Sequence, residues 1–280
     1  TISKKQVTTI SYEDVVTFDP EDLDFKKFKK AGSAIIKVDW SAVSSGNPLD
    51  CDMSAYTDKI GNQIYGKLEG TPYLEVPIHL IGHSRGASVI SRLAYKLGIS
   101  GIWVDHFTTL DPQPLTLCGD WEVKIYPNIL FADNNYRSYS NHRGEATPLY
   151  GESVDNTYER KLNGVVTDSV SLNCGGWGYA TAHELVHTYY HGTIDTNIDC
   201  VDQRHVQDEW YNDDYPRKET GYYFSRIGGG DRHDTASSGL HFRLSGTSNN
   251  RADFGTSTTS PAWPNVTFKP FADQSGYSDY

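Results

Sequence analysis

Residues 76–90 read VPIHLIGHSRGASVI, and no other stretch restricts the fold of this chain so tightly. An apolar, β-branched run over 76–81 has the character of a buried strand, Gly82 to Gly86 form a Gly-x-Ser-x-Gly step, and helical spacing continues through Leu97 and Gly98. The expected local structure is strand, sharp turn, helix. A serine on such a turn is pushed out above the sheet, and glycines two residues to either side let strand and helix backbones approach closely enough to hold it there. Ser84 is therefore the candidate nucleophile. The backbone N–H of Arg85, at the start of the helix, is the candidate donor to an oxyanion.

Strand character recurs at 6–10, 34–40, 103–110, 129–132 and 165–172, and helical spacing at about 20–30, 52–69, 85–97 and 183–191. Alternation of the first four strands with helices implies an α/β fold with a mostly parallel sheet covered by helices on both faces. With 280 residues, 37% apolar and 12% aromatic, the chain can bury one large core. One enlarged domain is expected: a core over 1–200, a polar lid-like insertion over 134–164, and a loop-rich C-terminal extension over 201–280 packed on the core.

In an open parallel sheet the reactive groups gather at the carboxyl ends of the strands. The strand over 104–110 ends in Leu110-Asp111-Pro112, which puts Asp111 at that edge as the candidate acid; Asp133, after the next strand in NILFAD, competes with it. The histidine has two readings. Residues 181–191 read TAHELVHTYYH, and His183, Glu184 and His187 match the His-Glu-x-x-His of zinc peptidases, whose two histidines share a helix face while the glutamate acts as general base. Against zinc, Thr193 stands where the extended motif needs a third histidine, Glu209 is only a nominal third ligand, and Ser84 and Asp111 are left without a role.

Taken together the motifs resemble the pancreatic-lipase-type branch of the α/β-hydrolases. Ile36-Lys37-Val38-Asp39-Trp40 stands in the place of that family's Val-Asp-Trp strand, followed by a helix carrying Tyr56 and Asn62. Gly82-His83-Ser84-Arg85-Gly86 stands for its elbow and Leu110-Asp111-Pro112 for its acid, and Thr193-Ile194 follows His183 where the family has Ser-Ile after its histidine. The resemblance covers residues 34–195. It implies a triad of Ser84, Asp111 and His183 in an α/β-hydrolase fold, with His183 taking the proton of Ser84 and passing it to the leaving alcohol. The chain departs from the family at the oxyanion loop: Ile10-Ser11-Tyr12-Glu13 stands where His-Gly-aromatic is expected. Ser11 or Tyr12 is then the candidate second backbone donor.

The net charge of −11 argues against a nucleic-acid partner, which would call for a basic face, and no run is long and apolar enough for a membrane span. Cys51, Cys118, Cys174 and Cys200 have no Cys-x-x-Cys spacing, so either buried thiols or two disulfides are open, Cys51–Cys118 and Cys174–Cys200 if paired. The chain begins at Thr1 and not at a methionine, so an upstream segment, a signal peptide among the candidates, is expected to have been removed, and the expected location is secreted or periplasmic. The insertion SNHRGEATPLYGESVDNTYERKLNG carries few large apolar residues, which favours soluble or short-chain esters over long-chain triglyceride. Trp210, Tyr211, Tyr215, Tyr222 and Tyr223 are candidates to line an acyl or sugar-bearing pocket.

The expectation is a carboxylic ester hydrolase working on a small-molecule or lipid ester without a cofactor; a structural calcium among the Asp-rich loops stays open, as does the oligomeric state. The alternatives are the zinc metallopeptidase and a catalytically inactive hydrolase-fold binding module.

Overall fold

Four short strands in which polar residues outnumber apolar ones form the centre of the molecule. A computed structural model describes residues 6–11, 34–40, 56–75, 77–116, 119–138, 150–167, 174 and 180–225. The sheet runs in the order β3 (His79–His83), β4 (His106–Leu110), β5 (Ala132–Tyr136), β6 (Tyr158–Lys161), with every pairing parallel. The register sets His79 opposite His106, Phe107 opposite Ala132 and Asp133 opposite Tyr158. A further parallel pair, β1 (Gln6–Ser11) with β2 (Ala34–Asp39), contributes Ile36 and Val38, which pack with Trp40 on the main apolar core.

Because side chains alternate across a strand, the sheet has two chemically different faces. Leu80, Phe107 and Ala132 join α1 (Tyr56–Leu68) and α2 (Gly86–Ile99) in the main core, with Ile60, Ile64, Leu93 and Leu97 from the helices. The alternate positions, among them His106, Thr108, Asp133 and Asn135, are buried as well, and Thr108 meets Tyr190 of α3 (Ala182–Ile194) on that side. The architecture is α/β, with helices on both faces of a parallel sheet.

α3 starts where its sequence says it should. Thr181 is the N-cap, its hydroxyl accepts from the Glu184 amide, and the Glu184 carboxylate accepts from the Thr181 amide at 2.9 Å, a complete capping box. Such a cap is worth about 1 kcal/mol. Residues 201–225 pack against α3: Trp210 is buried among Leu185, Val186 and Tyr189, the Tyr211 hydroxyl donates to the Tyr189 carbonyl, and Arg217 donates to the Gly192 carbonyl. At the start of this stretch β7 (Cys200–Val201) and β8 (Arg204–His205) form a small antiparallel hairpin. A disulfide joins Cys174 to Cys200 and brackets the helix; the pairing of Cys51 with Cys118 and the helix expected over 20–30 fall outside the described residues.

Several expectations from sequence are corrected. The strand expected over 129–132 runs instead over Ala132–Tyr136, with Ile129 making only an isolated bridge to Val104. Residues 165–166, expected to open a strand, lie in a turn packed on the α3 core. The insertion expected over 134–164 is not all excursion: its ends are the last residues of β5 and the whole of β6. Hydrogen bonds hold these polar strands in the interior, Thr109 donating to Asn134 at 2.9 Å and Asn134 to the Glu152 carbonyl.

Candidate active site

β3 ends at His83, and the chain turns sharply into α2 with Ser84 at φ 56. A non-glycine residue in the left-handed region costs on the order of 1–3 kcal/mol and persists only where its surroundings hold it. Here the Ser84 amide donates to the Leu110 carbonyl of β4 at 2.9 Å, and its own carbonyl accepts from Ala87 and Gln113. Gly82 makes the turn feasible, since a Cβ there would lie 2.5 Å from the Gly86 oxygen. Gly86 is not needed for space, because a Cβ at that position meets nothing within 4 Å; the close approach is all on the strand side.

Asp111 follows β4 and is also left-handed, at φ 45, and fully buried. Its carboxylate is surrounded by donors. Oδ1 accepts from the amides of Arg137 at 2.7 Å and Gly151 at 3.1 Å, and Oδ2 lies 2.7 Å from His183 Nδ1. The Arg137 guanidinium stands 3.6 Å from Oδ2. His183, 5% exposed in the first turn of α3, thus has Nδ1 committed to Asp111, which leaves Nε2 to exchange a proton. Among the described residues no hydrogen bond joins Ser84 Oγ to His183; such bonds are often long without substrate.

Asp133, the competing acid, is not at the strand edge. It is the second residue of β5, and its carboxylate binds His106 Nε2 at 2.7 Å together with the Thr108 hydroxyl and Asn135 Nδ2. Arg85, at the N-cap of α2, has its guanidinium clamped on Asp120 through two contacts at 2.8 and 2.6 Å and set over the Trp40 ring. Asp120 also accepts from the Thr57 hydroxyl and the Leu115 amide. Tyr12 lies outside the described residues, and Ser11 is described only as the last backbone position of β1.

The HELVH residues diverge. Glu184 faces back onto the helix cap and pairs with Arg204 at 3.0 Å, while His187 contacts the Glu184 carbonyl through Nδ1 and lies 3.6 Å from Asp202 through Nε2. No group of three candidate metal ligands occurs among the described residues. The aromatic residues of the extension are used in packing: Tyr215 lies under the Arg160 guanidinium at 3.6 Å, Tyr222 is stacked on His79, and Tyr223 is edge-on to Phe224.

Sequence reasoning missed Arg137 and Gly151, whose main-chain N–H groups bind Asp111 and leave no side-chain signature; the Arg137 guanidinium adds an ion pair to Oδ2 at 3.6 Å. A Cβ on Gly151 would lie 2.5 Å from Asp111 Oδ1, so the glycine is required for the approach. It also missed His83, hidden as the variable residue of the serine motif. His83 Nε2 lies 2.8 Å from the His183 carbonyl, and burial, together with the neighbouring His183, lowers its pKa to about 4. No protein-family model matches the chain, and no curated protein is significantly similar to it.

Proposed function

We propose that the protein is a serine hydrolase of α/β-hydrolase fold that cleaves carboxylic esters through an acyl-enzyme. The observation that carries the reading is the buried Asp111 carboxylate, held by two backbone amides and bonded to Nδ1 of His183, at the strand edge where Ser84 sits in a left-handed turn. His183 Nε2 takes the proton from Ser84 Oγ as that oxygen attacks the ester carbonyl. The resulting oxyanion is stabilised by the Arg85 N–H at the start of α2, and Asp111 stabilises the imidazolium. Collapse breaks the acyl–oxygen bond, the alcohol leaves with the proton from His183, and water repeats the sequence in reverse to free the acid and Ser84.

Soluble or short-chain esters are the favoured substrates, because the segment between β5 and β6, read as a lid, is rich in polar residues. The Cys174–Cys200 disulfide supports a secreted or periplasmic location, and no helix among the described residues is long and apolar enough to cross a membrane. The test is a serine-directed phosphonate probe. Wild-type protein is expected to be labelled at Ser84 with or without chelator, and Ser84→Ala to lose about a thousandfold or more of short-ester turnover with its fold intact. Chelator-sensitive activity without labelling would establish the zinc reading, and neither signal would establish a binding module.

A further inference from the structure

His83 takes no part in the chemistry written above, yet it touches the residue that does. It closes β3 one position before Ser84, on the side of the sheet that meets α3. Its Nε2 is 2.8 Å from the carbonyl oxygen of His183, its ring centroid is 4.5 Å from the His183 ring at a tilt of 39°, and the His187 ring lies 5.8 Å away. A carbonyl can only accept, so Nε2 carries the proton and donates it. With its pKa lowered to about 4, the ring is neutral near neutral pH and places no charge against the imidazolium that forms on His183.

We propose that His83 is a positioning residue of the triad: its Nε2–H, donated to the His183 carbonyl, and its ring, packed on the His183 imidazole, hold that imidazole in the orientation that engages Asp111. The inference rests on the serine-hydrolase reading. The capping box fixes where α3 begins and Asp111 fixes one ring nitrogen, but neither ties the first turn of α3 to the strand that carries the nucleophile. The His83 bond does. It links the residue adjacent to Ser84 directly to the backbone of the general base, so an error in the spacing of β3 and α3 is an error in the spacing of nucleophile and base.

Three variants separate its components: His83→Phe keeps a ring without the donor, His83→Gln puts an amide donor near the Nε2 position, and His83→Asn carries that amide too short to reach. The readouts are kcat and KM on a soluble p-nitrophenyl ester, and the downfield proton resonance of a histidine Nδ1–H bonded to a carboxylate. His83→Phe is expected to lose between about tenfold and a hundredfold in kcat, the cost of a misplaced catalytic group, with little change in KM and with the resonance shifted or broadened. His83→Asn behaves likewise, and His83→Gln, which restores the donor but not the ring, recovers most of both signals; should His83→Phe not fold, the Asn–Gln pair decides. Wild-type values in His83→Phe, or equal impairment in Gln and Asn, would overturn the inference while leaving the triad standing. Failure of the wild-type protein to label at Ser84 would overturn the triad and the inference with it.

Discussion

Among the described residues, two Asp–His pairs of equal length lie at or beside neighbouring strands, and they are built differently. Asp111–His183 and Asp133–His106 are both 2.7 Å apart, with both aspartates buried. Asp111 is bound by main-chain amides, sits in a left-handed conformation, and holds a histidine delivered from a separate helix. Asp133 lies inside a regular strand and is bound by side chains, and its histidine is one strand away, fully buried, stacked on His79 and edge-on to Phe131. Distance alone therefore says nothing of role. What separates a candidate relay from an interior polar staple is where the second ring nitrogen can go and whether local strain is being maintained around it.

The sharpest way to break this comparison is to neutralise each acid in turn. Asp111→Asn is expected to lower short-ester turnover on the order of ten-thousandfold, because the amide no longer selects the productive tautomer of His183. Asp133→Asn should leave the turnover of the folded protein within about tenfold, since its partner never reaches the strand edge. Steady-state rates on both variants, with circular dichroism as the fold control, decide it; a dead Asp133 variant beside an active Asp111 one would exchange the two roles.

The interior pair should show itself in stability instead. Removing one partner of a buried polar group costs about 1–3 kcal/mol, and more where that group is charged. Urea denaturation of His106→Leu is expected to show a loss of that order, because Asp133 keeps its buried carboxylate and loses the 2.7 Å bond to His106. A variant as stable as wild type would show that the His106 bond contributes nothing net to the fold.

A steric probe acts on the first pair without replacing either side chain. Gly151→Ala forces a Cβ to within 2.5 Å of Asp111 Oδ1 and 2.7 Å of its Cα, so Asp111 must shift, and a displacement near 1 Å can cost about a hundredfold in rate. Gly86→Ala, whose Cβ meets nothing within 4 Å, is the matched control and should retain stability and labelling. Equal effects in the two variants would show that the contact at Gly151 is absorbed elsewhere.

The same contrast explains what could be read from sequence. Ser84, Asp111 and His183 were nominated from a turn motif, a strand end and a downstream histidine, and the fold brings them to neighbouring positions at one edge of the sheet. These are signals carried by side-chain identity and by chain order. β5 and β6 were not legible, because ADNNY and YERK contain almost no apolar alternation; the polar groups are buried by bonding to one another, which hydrophobic periodicity does not register. The amides of Arg137 and Gly151 are likewise invisible, since any residue supplies a backbone N–H. At the start of the strand expected over 165–172, Val166 is buried against α3 from a turn, and apolar character specifies burial without specifying a strand; residues 168–172 lie outside the described residues.

The last effect concerns acid, and it reaches the first pair through its neighbour His83. Burial lowers the folded-state pKa of His83 from its ordinary 6.5 to about 4. Between those two values the unfolded chain takes up a proton on this ring that the folded chain does not, so unfolding is favoured as pH falls. The penalty is absent above about pH 7, grows through the window between 6.5 and 4, and levels off below about 4, where both states are protonated. His191, also lowered by burial and by the facing His187, adds to the decline with the same sign. Replacing His83 by glutamine removes its share, because an amide does not titrate while its N–H still reaches the His183 carbonyl. Unfolding free energies of wild type and His83→Gln, measured at intervals across this window, are expected to run parallel near neutrality and to converge or cross toward acid, the variant losing stability less steeply. Curves that stay parallel down to pH 4 would show that His83 protonates as easily in the folded protein as out of it, and that the ring beside the candidate base is not held neutral.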